Sequence, residues 1–235
     1  MTPDNDDAMA LPLWINGHAY LIMADAFFDV INPKTGEVLR RTPLCGADAA
    51  AKAVAAAQAA LPKWALDPDD QREAKLLPLA DALEGYAAHF AALITAETGK
   101  DEAAAAAEVA EAVALLRAPW ALSLMAGTVV VAVNDDREPL LGLLSLAIPA
   151  ILAGGVVVAK PSPKAPSAAF AFAELTARAG LPDGVFNIVQ GDLAAIEGLC
   201  AQADVGRVAF AGDAELAEKI RAVAARYGKA FVSRD

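Results

Sequence analysis

The chain is poor in the residues that build disulfide frameworks and transition-metal sites. Its 235 residues contain only two cysteines, Cys45 and Cys200, and two histidines, His18 and His89. Two cysteines with no ligand-like spacing exclude a disulfide scaffold, and a zinc site would have to lean on carboxylates. Positive charge is also scarce: 19 Lys and Arg against 30 Asp and Glu leave a net charge of −11. Binding of a phosphate backbone needs clustered cations, so nucleic acid is not an expected partner. The opening MTPDNDDAMA is polar and acidic, unlike a secretory signal peptide; the expected location is the cytoplasm. No internal repeat or low-complexity linker divides the chain, and its length suits one domain.

Apolar residues are abundant at 57%, much of this alanine. Residues 139–159, PLLGLLSLAIPAILAGGVVVA, carry no charge and are long enough to span a bilayer. Pro149 and the Gly154-Gly155 pair interrupt them, however, so they read as a buried helix, a tight turn and a central strand. No membrane association is expected.

Short strands and turns are predicted over the first 45 residues, in LWINGHAY and FFDVINPKTGEVL. Asp48 is placed to cap a helix running through Ala60, and residues 69–97 give one or two helices that Gly99 would stop. A further helix covers 101–118. From residue 127 the pattern alternates. The apolar runs 129–133, 156–160, 185–190, 207–211 and 230–233 are separated by helices over 139–153, 166–179, 193–202 and 213–227. This predicts an α/β fold, an open parallel sheet of about five strands with helices on both faces, preceded by an N-terminal strand and helical segment. The expected organisation is one domain, 1–235, with strands and helices over 1–126 and a βα Rossmann-like core over 127–235.

An ordered set of segments carries a family resemblance: WINGHAY, INPKTGEVL, AVAAAQAALPKWA, QREAKLLPLADALE, ITAETGK, KPSPKAP, AGLPDGVFNIVQGD and VAFAGDAEL. Together they resemble the NAD-binding, Rossmann-like domain of the aldehyde dehydrogenase superfamily. The resemblance implies a strand-end lysine and a following carboxylate at the adenosine ribose, and a glycine-serine turn at a helix N-terminus for the pyrophosphate. Lys160 matches the lysine, Gly191 the glycine beside the adenine, and Gly212 the turn glycine. Pro163 replaces the ribose carboxylate, Leu193 a small residue, Asp213 the serine and Ala217 a helix glycine. A carboxylate beside the pyrophosphate repels it by about 1 kcal/mol in water, whereas Asp213 is a good N-cap. The family's asparagine after the first strand has no clean counterpart in VNDDREPLL, where Asn134 comes too early and Asp135, Asp136 and Glu138 make the loop acidic. The family's oligomerisation hairpin has little room between 118 and Gly127, and its glutamate segment and cysteine-bearing catalytic domain have no counterpart. These gaps favour a single-domain form over a truncation.

The other candidates read as structural. Cys45 and Cys200 are expected to be buried thiols, His18 and His89 ordinary surface or core residues, and Glu108 and Glu111 a solvated helix face. The expectation drawn from these residues is a noncatalytic module, a pseudoenzyme acting as structural or regulatory partner of a complete aldehyde dehydrogenase subunit. It would bind no cofactor, or NAD weakly, around Lys160, Gly191, Gly212 and Asp213. The alternative is an NAD(H)-binding subunit of an oxidoreductase acting on aldehydes, with the catalytic half on another chain.

Overall fold

The computed structural model describes residues 8–118, 120 and 125–234. Strands β1 (Leu13–Ile15) and β2 (His18–Tyr20) form a hairpin about Asn16-Gly17. Both turn residues have positive φ, 52° and 75°, the conformation that Asn-Gly tolerates best. Strands β3 (Phe27–Ile31) and β4 (Val38–Pro43) make a separate two-stranded ribbon. Its turn is held by Asn32, whose Oδ1 accepts the N–H groups of Lys34 and Thr35.

Four helices follow: α1 (Ala47–Leu66), α2 (Asp69–Gly85), α3 (Ala87–Thr98) and α4 (Glu102–Arg117). Gly99, at φ 75°, ends α3 in the left-handed conformation, and Asp101 caps α4 by accepting the Ala104 N–H at 2.7 Å. Asp48 is not the cap of α1, as expected from the sequence. Gly46 occupies that position with no side-chain cap, and Asp48 lies inside the first turn, where its charge still favours the helix dipole.

The alternating half consists of β5 (Val129–Asn134), α5 (Leu141–Leu152), β6 (Val156–Lys160), α6 (Ser167–Arg178), β7 (Phe186–Ile188), α7 (Leu193–Cys200), β8 (Val205–Ala211), α8 (Ala214–Arg226) and β9 (Ala230–Arg234). The strand order is β2-β1-β7-β6-β5-β8-β9. The last five strands of that order are parallel. The expected open parallel sheet of about five strands is present, and β1 and β2 extend it to a mixed sheet of seven strands among the described residues. Strand β1 joins antiparallel to β7 through the Trp14–Ile188 pair, and Asn187 Oδ1 accepts the Asn16 N–H at 3.0 Å.

Helices α5 and α6 cover one face of the sheet and in turn pack against α2, α3 and α4; α1, α7 and α8 cover the other. Every residue of β5, β6 and α5 is buried, which accounts for the uncharged run at 139–159. Among the described residues no helix is long and apolar enough to cross a membrane. The stretch between α4 and β5, where an oligomerisation hairpin would sit, includes residues 119 and 121–124, outside the described residues.

Glu108 and Glu97, on the N-terminal helices, reach across to cap core helices. Glu108 is buried; its Oε1 accepts the N–H groups of Leu140 (2.9 Å) and Leu141 (3.1 Å) at the start of α5, and its Oε2 takes Lys100 Nζ at 2.5 Å. Glu97 accepts the Ser167 N–H (3.0 Å) and hydroxyl at the start of α6, with Arg40 at 3.8 Å. Burial pushes the Glu97 carboxyl above the ordinary range, and the Ser167 hydrogen bonds partly offset that. The solvated face expected for Glu108 and Glu111 holds only for Glu111, which is exposed. Both caps meet helix N-termini that are sealed from water, where unpaired N–H groups would be costly.

Candidate functional site

The chain moves outward from β5 to β6 and β7 on one side, then returns to place β8 and β9 on the other. Ligands of open α/β sheets sit outside the strand carboxyl ends at such a switch, here the ends of β5 and β8. Two cavities lie there. One, of about 240 Å3, has the Lys160 side chain, Ser162 and Asp192 on its wall, together with Leu193 and Ile196 from α7 and Leu216 and Ile220 from α8. The other, of about 280 Å3, is lined by Lys100, Arg137 and Arg234 and by Asp135, Glu138 and Gly212. Asp135 belongs to both.

Lys160 ends β6, in register with Val133 of β5, and is 4% exposed. Burial lowers its ammonium to about 8, and the charge of Asp192 opposes the shift. Its Nζ has no hydrogen-bond partner among the described residues. The slot between the α7 and α8 side chains is apolar because Leu193 and Ile196 are three residues apart on one helix face, and Leu216 and Ile220 four apart on another.

The boundary between the cavities is built from carboxylates. Asp213 caps α8, its Oδ1 accepting the N–H groups of Glu215 (2.8 Å) and Leu216 (3.2 Å). Asp135 reaches over the turn, its Oδ2 accepting the Asp213 N–H at 2.7 Å and Arg137 Nε at 2.9 Å, its Oδ1 the Arg137 N–H at 3.0 Å. Gly212, at φ 147°, allows this, since a Cβ there would lie 2.5 Å from the Asp135 carboxyl. Asn134 closes the loop by donating Nδ2 to the carbonyls of Asp135, Glu138 and Pro139 at 3.0–3.3 Å.

Of the four residues expected around the cofactor, Lys160 and Gly212 line cavities, one each. Gly191 and Asp213 line neither. Gly191, at φ 136°, serves packing, since a Cβ would lie 2.8 Å from Ala195 and 3.1 Å from the Cys45 nitrogen. Asp192, the apolar residues Ile196, Leu216 and Ile220, and the cations around Gly212 were not found from the sequence, and Leu193 was noted only as standing where a small residue is usual. The signal for the apolar pairs was present, as large apolar residues in the first two turns of helices that follow strands. Cys45 and Cys200 are buried, and burial pushes each thiol up to about 11, so neither supplies a thiolate near neutral pH. His18 and His89 are exposed, and the described residues hold no cluster able to bind a metal ion.

The fold and the strand-end cleft define a dinucleotide-binding type of α/β protein. The model of the aldehyde dehydrogenase family matches residues 22–138 and 137–233. The chain is 31% identical to the malonate-semialdehyde dehydrogenase of Pseudomonas aeruginosa, over 86% of this chain and 44% of that protein. It is 32% identical to the lactaldehyde dehydrogenase of Escherichia coli, over 92% and 49%, whose crystal structure superposes with a TM-score of 0.88, at 28% identity over 96% and 52% of the two chains. An indole-3-acetaldehyde dehydrogenase variant of P. syringae, solved in complex with NAD+, superposes with a TM-score of 0.85 at 25% identity, over 94% and 50%. The chain thus spans about half the length of the relatives it matches, and it belongs to the aldehyde dehydrogenase family.

This membership corrects the functional expectations. The noncatalytic partner module, the pseudoenzyme and the cofactor subunit of a divided oxidoreductase rested on family segments that found no counterpart in the sequence and on departures at single positions, chiefly Pro163, Asp213 and the loop after β5. The two segments of the family match together span all of these positions, and the fold around them follows that of a lactaldehyde dehydrogenase. The expectation of no cofactor, or of weak NAD binding, is overturned in the same way, by likeness to a family structure that holds NAD+. Asp213 and Asp135 satisfy the helix turn without collapsing the adjoining cleft, which stays open beside Lys160.

Proposed function

We propose that this chain catalyses NAD(P)-dependent oxidation of an aldehyde and that its strand-end cleft binds the cofactor, the chain being organised as one domain over 1–235 with its βα core over 127–235. The observation that carries this reading is the cleft between β6, α7 and α8. Its residues fit the adenosine part of such a cofactor. Leu193 and Ile196 face Leu216 and Ile220 across a slot suited to a flat aromatic ring. The buried Lys160 ammonium has hydrogen atoms to donate to ribose hydroxyls, and Asp192 and Ser162 offer acceptors on the same wall. The amides of the α8 turn are engaged by Asp135 and Asp213, so the diphosphate is not assigned to them.

When bound, the cofactor supplies the hydride acceptor. The described residues bind and orient it and keep water from its adenosine end; neither Cys45 nor Cys200 is assigned a covalent step. The family match and the likeness to lactaldehyde and malonate-semialdehyde dehydrogenases support an aldehyde as substrate. The test follows NAD(P)H absorbance with a panel of aldehydes. Aldehyde-dependent reduction that falls on Lys160→Met is the expected result. Absence of reduction with every aldehyde, under both cofactors, would overturn the reading.

A further inference from the structure

The cavity beside Gly212 concentrates positive charge in a chain that has little of it. Lys100, Arg137 and Arg234 line this one space of about 280 Å3, although the chain carries only 19 Lys and Arg against 30 acidic residues. They come from three separate places: the link between α3 and α4, the loop after β5, and the end of β9. The fold alone brings them together, at the strand ends where ligands of such sheets bind.

The pairing of these cations is incomplete. Lys100 holds Glu108, whose carboxylate is already spent on the α5 N-terminus. Arg137 gives Nε to Asp135, and its two terminal nitrogens have no partner among the described residues. The Arg234 side chain has no hydrogen bond or ion pair among them either; its carbonyl takes the Gly212 N–H at 3.3 Å. Of the opposing carboxylates on the wall, Asp135 has both oxygens engaged, and Glu138 remains. Two guanidinium groups with unused donors therefore flank a space several times the roughly 30 Å3 share of a water molecule. Arginine forks match planar oxyanions in two-point contacts.

We propose that this cavity is a subsite for a carboxylate, and that the aldehyde taken by the chain carries one, in contrast to neutral alkyl or aryl aldehydes. The substrate part of this inference rests on the aldehyde dehydrogenase reading above; the anion site itself rests on the three cations. The same chemistry would suit a phosphate of the cofactor, and the experiment separates the two.

The probe is malonate, titrated calorimetrically into the chain, with malonamide as its neutral counterpart. Saturable malonate binding is expected, with malonamide at least about tenfold weaker. Arg137→Gln and Arg234→Gln should each weaken malonate about tenfold or more, the scale of a lost charge-assisted hydrogen bond. Lys52→Gln, an exposed cation elsewhere, should change nothing. Both arginines are exposed, and circular dichroism of the variants confirms that they fold. The proposal is overturned by equal binding of malonate and malonamide, by arginine variants that bind like the parent, or by no saturable binding. Simultaneous binding of malonate and NAD supports a substrate carboxylate, whereas mutual exclusion gives the cavity to the cofactor's phosphates and overturns the substrate assignment. NAD binding that survives a failed malonate titration defeats this inference alone. Malonate binding without NAD binding defeats the cofactor reading instead.

Discussion

Replacing Glu108 with alanine removes one carboxylate and unsatisfies three groups at once. The N–H groups of Leu140 and Leu141 open a helix whose twelve residues are all buried, so water cannot replace the lost acceptor. The side chains of Glu108 and its ion partner Lys100 are 3% and 26% exposed, so the lysine is only partly rescued by solvent. A buried N–H left unpaired costs about 1–3 kcal/mol, and breaking a buried ion pair about 3–5 kcal/mol. These overlap rather than add, which puts Glu108→Ala at roughly 3–5 kcal/mol. Glu108→Gln keeps an acceptor for the amides and loses only the charge, at about 1–2 kcal/mol. For a chain of this size each kcal/mol lowers the midpoint by about 2–4 °C, so the alanine variant should melt roughly 6–20 °C below the parent. Thermal unfolding followed by circular dichroism reads this directly. Glu111→Ala, on the same helix but exposed, is the control and should stay within about 0.5 kcal/mol. If both alanine variants melted together, the cross-helix cap would not be a stabilising contact.

Other expectations concern charge. Glu97 has a raised folded-state pKa because it is buried, so its protonated form is favoured by folding; its contribution is full below the ordinary carboxylate value and declines as pH rises through the raised one. Glu97→Gln should flatten that part of the stability profile in urea titrations across acid pH, and an unchanged profile would contradict the assignment. Lys160, lowered to about 8 by burial, should lose its charge above that pH, so NAD affinity should fall there; between about 8 and the ordinary lysine value, stability should rise with pH because the unfolded chain binds the extra proton. Fluorescence titrations and urea unfolding across this range check the two trends. Asp213→Ser keeps an N-cap and lies outside the lining of both cavities, so NAD affinity should change by less than about twofold; a clearly tighter complex in a calorimetric titration would instead put the diphosphate at the α8 turn.

The core was legible because its signals are local. Strand β6 was read residue for residue, and the caps Gly99 and Asp213 sit at the ends of the helices they serve. Pairing at a distance was not legible. The β1–β7 junction depends on the single Trp14–Ile188 pair, and the carboxylates of Glu97 and Glu108 meet helix starts 70 and 32 residues away, beyond any capping pattern. For the same reason Lys160 could be recognised at a strand end while Lys100, Arg137 and Arg234 could not be grouped. The function was misread by giving the unmatched family segments, and the departures at Pro163 and Asp213, more weight than the matched framework around them. Asp213 does cap α8, but that cap coexists with the open cleft beside it.

The central claim is that the cleft at Lys160 holds a nicotinamide dinucleotide, and a calorimetric NAD titration of the chain beside its Lys160→Met variant tests it most directly. The account predicts saturable one-to-one binding by the parent and a loss of about tenfold to a hundredfold in the variant, the scale of hydrogen bonds from a buried ammonium. A parent that shows no saturable binding, or a variant that binds as tightly as the parent, would contradict it.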